Sequence, residues 1–244
     1  MKSFKSKEIV FIIYFVSVVF ASHLTYSQAT NRPYDFPFQP ESENWKTLKS
    51  VEEFYVKSQI PPKVLNSLTT EALAITCLNY PMLGVIDAHN SQQAGFNFLK
   101  GKFNGFDSLL RRKDVVNVLV RLYRKTNPVE FQNSWTIQQQ LRYLCSMQCL
   151  EILLAQDEVL GRMNDGQMKE LFNESMTKFE AKKSLSNIYG KIGLERSVWA
   201  SARKMKKTNW LKSTKQIDEY LESGSQVSET DLSFLVKELN KILQ

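Results

Sequence analysis

Apolar positions along this chain recur at helical spacing almost from end to end. From Trp45 they fall at Trp45, Leu48, Val51 and Phe54 or Tyr55, the rhythm of one face of an amphipathic helix, and Pro61-Pro62 must end it. The pattern predicts a first helix over roughly 43–59. Thr69 is placed to cap a second, with Glu71 in its first turn, where a carboxylate offsets the helix dipole. Ala72, Leu73, Ile75, Cys77 and Leu78 supply its buried side, and Pro81 ends or restarts it. Short helices over 82–89, 92–103, 106–112 and 114–125 follow, punctuated by Ser91, Gly101, Gly105 and Asp114, and Asn127-Pro128 closes the group.

The longest element spans about 137–160. Its Leu141, Leu144, Met147, Leu150, Ile152, Leu153 and Leu154 cover most of the circumference, the mark of a helix surrounded by others. Asn164-Asp165-Gly166 turns into a further amphipathic helix that reaches about Lys182. Tyr189-Gly190 and Gly193 mark a loop. Three last helices occupy 194–206, 214–221 and 229–243, the second stopped by Gly224 and the third capped by Ser228 or Thr230. No segment shows the sustained alternation of a half-buried strand. The expected class is all-α, an irregular multi-helix bundle around a central buried helix. A short α-solenoid of stacked pairs between Pro61 and Pro128 is the alternative, although no residue pattern repeats there at fixed period.

The first residues depart from this pattern. Lys2, Lys5 and Lys7 precede an unbroken apolar run from Ile9 to Phe20, and small or polar residues follow from Ser22 to Ala29, the three-part layout of a signal peptide. Cleavage is expected after Ser27 or Ala29. The alternative is an uncleaved anchor, but the run is shorter than the ~20 residues of a span. The first cysteine is Cys77, so lipid attachment at a new N-terminal cysteine is excluded. The sequence therefore divides into a signal peptide over 1–27, an extended arm over 28–42 and a single all-α domain over 43–244. The arm is extended because Pro33, Pro37 and Pro40 interleave with Tyr34, Phe36 and Phe38. The expected location is periplasmic or extracellular.

Charge and cysteine content narrow the chemistry. The formal net charge of +7 falls to roughly +5 once the leader's Lys2, Lys5, Lys7 and Glu8 are removed, too mild to mark a nucleic-acid binder. Cys77, Cys145 and Cys149 are odd in number. Either Cys77 bridges to Cys145 or Cys149 in an oxidising compartment, or all three are buried thiols that pack as small hydrophobes.

Thr70-Glu71-Ala72-Leu73 leading into Thr76-Cys77-Leu78-Asn79-Tyr80-Pro81, then Phe103-Asn104-Gly105 with Leu109-Leu110-Arg111-Arg112-Lys113-Asp114, and Leu153-Leu154-Ala155-Gln156-Asp157-Glu158 resemble segments of uncharacterised exported all-helical proteins of Bacteroidetes-type bacteria. The resemblance covers about 60–160. It implies a helical protein in a Gram-negative envelope or outside it. No catalytic residue comes with it.

Few residues suggest catalysis. His89 is the one histidine after the leader, which excludes a multi-histidine metal site and HExxH arrangements within one chain. A Cys77/His89 pair oriented by Asp87 or Asn90 is the enzymatic alternative, set against Cys77's place on an apolar face. Asp157-Glu158 project about 100° apart on a helix and do not converge. No cofactor is called for.

The segment 196–215 is the one local composition that stands out. It holds Arg196, Arg203, Lys204, Lys206, Lys207, Lys212 and Lys215 with no acid, together with Trp199 and Trp210. Arg203, Lys204, Lys206, Lys207 and Lys212 are the candidate contacts to anionic lipid or glycan; otherwise the tryptophans are core anchors and the lysines a solvated face. The amide-rich run from Asn79 to Gln93, with Asn97 and Asn104, either lines a groove or ties helix ends together. The leading expectation is a non-enzymatic exported module acting through contacts with an unknown protein partner, with nucleic acid not among its partners.

Overall fold

The computed structural model describes residues 29–40 and 42–244. The signal-peptide segment over 1–27 lies outside the described residues. The chain is all-α: helices pack as an irregular bundle, with one isolated bridge between Thr30 and Leu68 and no strand among the described residues.

The order is α1 (Glu43–Lys46), α2 (Val51–Lys57), α3 (Pro62–Ser67), α4 (Thr70–Leu78), a 3-10 turn (Leu83–Ala88), α5 (Gln92–Lys102), α6 (Asn104–Leu110) and α7 (Val115–Lys125). A second 3-10 turn (Pro128–Glu130) leads to α8 (Ile137–Leu154), α9 (Asp157–Leu160), α10 (Asp165–Lys183), α11 (Ser186–Lys207), α12 (Lys215–Ser223) and α13 (Glu229–Leu243).

Four boundaries differ from the periodicity, each for a local reason. The helix expected over 43–59 is two, because Ser50 is extended and its Oγ accepts from Glu53 N at 3.1 Å, starting a new helix inside an unbroken apolar rhythm. Pro62 opens α3, where its missing N–H costs nothing. The helix expected over 137–160 stops at Leu154: Gln156 turns extended, and its side chain donates back to Ile152 O at 2.8 Å. The loop expected near 189–193 is a kink within α11, confined to Gly190 at φ 58°, where a glycine escapes the penalty a Cβ would bring.

The second half of α8 is the middle of the bundle. Every residue from Met147 to Leu154 is buried, against α4, α7 and α11. Burying leucines such as Leu150 and Leu153 stabilises by roughly 1.5–3 kcal/mol each. Helices α10 and α11 form the most extensive helix pair, and α13 packs on both.

The N-terminal arm lies along this body. Thr30 pairs with the Ser67–Thr69 backbone, Tyr34 N donates to Thr76 Oγ1 at 2.9 Å, and Phe36 is buried against Tyr80 and Phe103. Those contacts carry Gln39 and Pro40 to the start of α8.

Candidate functional site

Helix α8 changes character at its midpoint. Its first half, Ile137 to Ser146, has no buried residue. A capping box joins Thr136 and Gln139 and holds its first turn, so the helix is well started even though little packs on it. Ile137 is 76% exposed and Leu141 56%, although both lie on the apolar rhythm that the buried half continues. Cavities lie on several sides of this half-helix.

One cavity, about 480 Å³, lies between α8, the end of α4 and the turn that follows it. Leu78, Pro81, Leu83, Ile137, Leu141 and Cys145 give it apolar walls, and the arm closes one side with Gln39 and Pro40. Two of the polar groups there are engaged: Gln138 Nε2 donates to Pro40 O at 3.1 Å, and Gln39 Oε1 accepts a long bond of 3.4 Å from Arg142. A neighbouring groove of about 400 Å³ runs along Trp135, Gln139, Tyr143 and Ser146. Arg142 lines both and, among the described residues, is the only charged one lining either. Tyr143 stacks edge-on with Trp135 at 5.3 Å, and burial pushes its phenol up to about 12.

A third cavity, about 180 Å³, shares Leu141 and Cys145 with the first and is charged. There Lys182 meets Glu151, and Arg196 meets Asp87 at 2.5 Å. Glu151 also accepts from Tyr123 and Ser197, while Asp87 accepts from Gln148 at 2.8 Å. Titratable groups in a cavity suggest turnover, but these neutralise one another pairwise. Lys182 donates to both Glu151 oxygens and to Gly193 O at 3.1 Å, so its nitrogen is fully engaged within the fold. Arg196 Nε is buried without a partner among the described residues.

The residues singled out from the sequence separate in the fold. Cys77 is fully buried, and burial raises its thiol well above the ordinary value. His89 bonds Val85 O at 3.0 Å and packs on Phe98, and no hydrogen bond joins it to Cys77. Asp87 serves Arg196 instead of orienting an imidazole. The three thiols are free; Cys77 and Cys149 are buried, and Cys145 is half-buried at the wall of two cavities. Among the described residues no group of three metal-ligating side chains converges, and no helix is long and apolar enough to cross a membrane.

The basic segment is largely used inside the molecule. Arg203 donates to Ala155 O at 2.6 Å, pairs with Asp157 and lies over Trp199. Lys204 donates to Leu160 O, the last carbonyl of α9, and to Met163 O in the segment that follows, so a cation sits at the C-terminal end of that helix. Lys206 pairs with Asp218 at 3.0 Å and Lys207 with Asp157 at 3.2 Å. Lys212 is exposed and forms no ion pair among the described residues. Trp199 is a core residue bonded to Leu221 O, whereas Trp210 is 49% exposed. The amide-rich run also divides. Asn104 bonds both backbone groups of Ile60, and Gln93 bonds Gln156, tying elements together, while Asn79 lines the cavities beside α8.

Sequence reasoning missed the first half of α8 because its leucines and isoleucine read as core. Arg142, amid glutamines, resembles any surface arginine. Comparison with family models, with curated proteins and with solved structures gives no match to this chain.

Proposed function

We propose that this chain is a non-enzymatic binding module whose contact site is the first half of α8 with the apolar cavity beside it. One observation carries the reading: an apolar cavity of about 480 Å³, within the 300–1,000 Å³ range of ligand sites, is walled by a helix half that leaves Ile137 and Leu141 exposed. Apolar side chains at i and i+4 beside a cavity offer a contiguous patch to an occupant. Export and a place in the cell envelope belong to the same proposal, supported by the residue pattern over 1–27 and by the resemblance over 60–160.

The uncharged fluorophore Nile red tests the site. One saturable site per chain is expected, with binding lost in Leu141→Asp. Binding unchanged in that variant contradicts the reading.

Trp210 exposed beside Lys212 favours a second, narrower reading, attachment to an anionic lipid or glycan surface at that corner. Retention on phosphatidylglycerol vesicles at low salt, abolished by Trp210→Ala with Lys212→Gln, is its expected outcome; equal retention of the variant contradicts it.

A further inference from the structure

We infer that the cavity beside α8 takes a single-chain amphiphile with one carboxylate head, the chain lying against Leu78, Leu83 and Leu141 and the head meeting Arg142. This rests on the reading of that cavity as the binding site and adds the chemistry of its occupant.

Three observations carry it. The walls are largely apolar and among the described residues carry no acidic side chain, so they suit a hydrocarbon body and do not repel an anion. Among the described residues Arg142 is the sole charge lining this cavity and the adjoining groove, it forms no ion pair, and its one side-chain hydrogen bond is the 3.4 Å bond to a neutral amide. A guanidinium in that position presents a planar fork that matches a carboxylate. The other polar side chains are chiefly the neutral amides of Gln39, Asn79 and Gln138, with Gln138 Nε2 already held by Pro40 O. A peptide needs partners for every backbone group it buries, and this cavity supplies enough for one head.

The competing cations are accounted for. Arg196 and Lys182 lie behind Leu141 and Cys145 in the charged cavity, each with its own carboxylate, and a second anion there finds no uncompensated positive charge. Arg142 at the mouth has no such partner among the described residues.

The test compares dodecanoate, dodecan-1-ol and dodecyltrimethylammonium, below their micelle concentrations, on the full chain by calorimetry. The expected order is carboxylate tightest by about tenfold over the alcohol, the scale of a charge-assisted bond, with the ammonium weakest. Arg142→Gln should remove the carboxylate's advantage and leave the alcohol unchanged, while Glu41→Gln, altering the acid that follows Pro40 in sequence, keeps that advantage. Cys145 alkylation, slowed by bound dodecanoate in wild type, reports occupancy independently. Equal binding of all three heads, or an equal loss of all three in Arg142→Gln, overturns the inference and leaves the cavity reading standing. No binding of any amphiphile overturns both, unless the chain self-associates and Leu141→Asp makes it monomeric. In that case the occupant is a second copy and only the inference falls.

Discussion

Lys182 Nζ lies 2.7 and 2.8 Å from the two carboxylate oxygens of Glu151, and each side chain is only 2% exposed. The pair joins α10 to the buried half of α8. Burial lowers the lysine's pKa against the opposing pull of Glu151, so desolvation outweighs the attraction at that site. Tyr123, Ser197 and Gly193 O complete the hydrogen bonding.

Removing both partners should therefore cost less than the two single removals together. Lys182→Met strands a buried carboxylate and is expected to lose about 3–5 kcal/mol in urea unfolding, and Glu151→Leu a similar amount. The paired variant should lose clearly less than the sum. Additive losses would show that the two groups are not coupled.

Alkaline pH should unfold the protein through its tyrosines. Burial raises the phenols of Tyr34, Tyr55, Tyr80, Tyr123, Tyr143, Tyr189 and Tyr220 above their ordinary 10.0. Between pH 10 and those raised values the folded chain holds protons that the unfolded chain releases. The stabilisation is thus complete below pH 10 and is lost as pH climbs toward the folded values. Tyrosinate absorbance should lag and then rise together with loss of helix circular dichroism. A smooth titration near pH 10 with the helix signal intact would contradict this burial.

Two glycines of α5 should respond in opposite directions. A Cβ at Gly95 would stand 2.3 Å from the Ile86 carbonyl oxygen, a backbone atom that cannot swing aside, so Gly95→Ala is expected to destabilise by about 1–3 kcal/mol. Gly101 has nothing within 4 Å, and Gly101→Ala should stabilise by roughly 0.5–1 kcal/mol through helix propensity. Thermal melts of the two variants check the sign of each. A shift in the same direction for both would refute the close approach of α5 to the Leu83–Ala88 turn.

The basic segment should behave as two parts. Arg203→Gln and Lys204→Gln remove charged donors from Ala155, Leu160 and Met163 carbonyls and are each expected to cost about 1–2 kcal/mol in denaturant unfolding. Lys212→Gln, exposed and unpaired among the described residues, should stay within about 0.5 kcal/mol of wild type. Equal costs at all three positions would mean that Arg203 and Lys204 do not serve the helix end.

Class and core were largely legible in the chain because helical periodicity reports which face is apolar. It does not report whether a neighbour covers that face. Leu141 and Ile152 project from the same face of α8, yet the first stands exposed and the second is enclosed, in the half of the helix that is buried among α4, α7 and α11. Ser50 and Gln156 break helices through a cap and a back-bonded amide that the same rhythm runs straight across. Glu151 showed a charge in an apolar helix, but nothing local identified Lys182 as its partner. The cavity depends on Gln39 and Pro40 arriving from the arm, a relation with no signature in spacing.

The first half of α8 is the proposed binding surface. Methyl spectra of the isoleucine, leucine and valine side chains, recorded with and without saturating Nile red, test it most directly. The account predicts saturable shifts at Leu78, Leu83, Ile137 and Leu141, with the methyls of α13 unmoved. Shifts confined to Leu211 and its surroundings beside Trp210, or none that saturate, would contradict it.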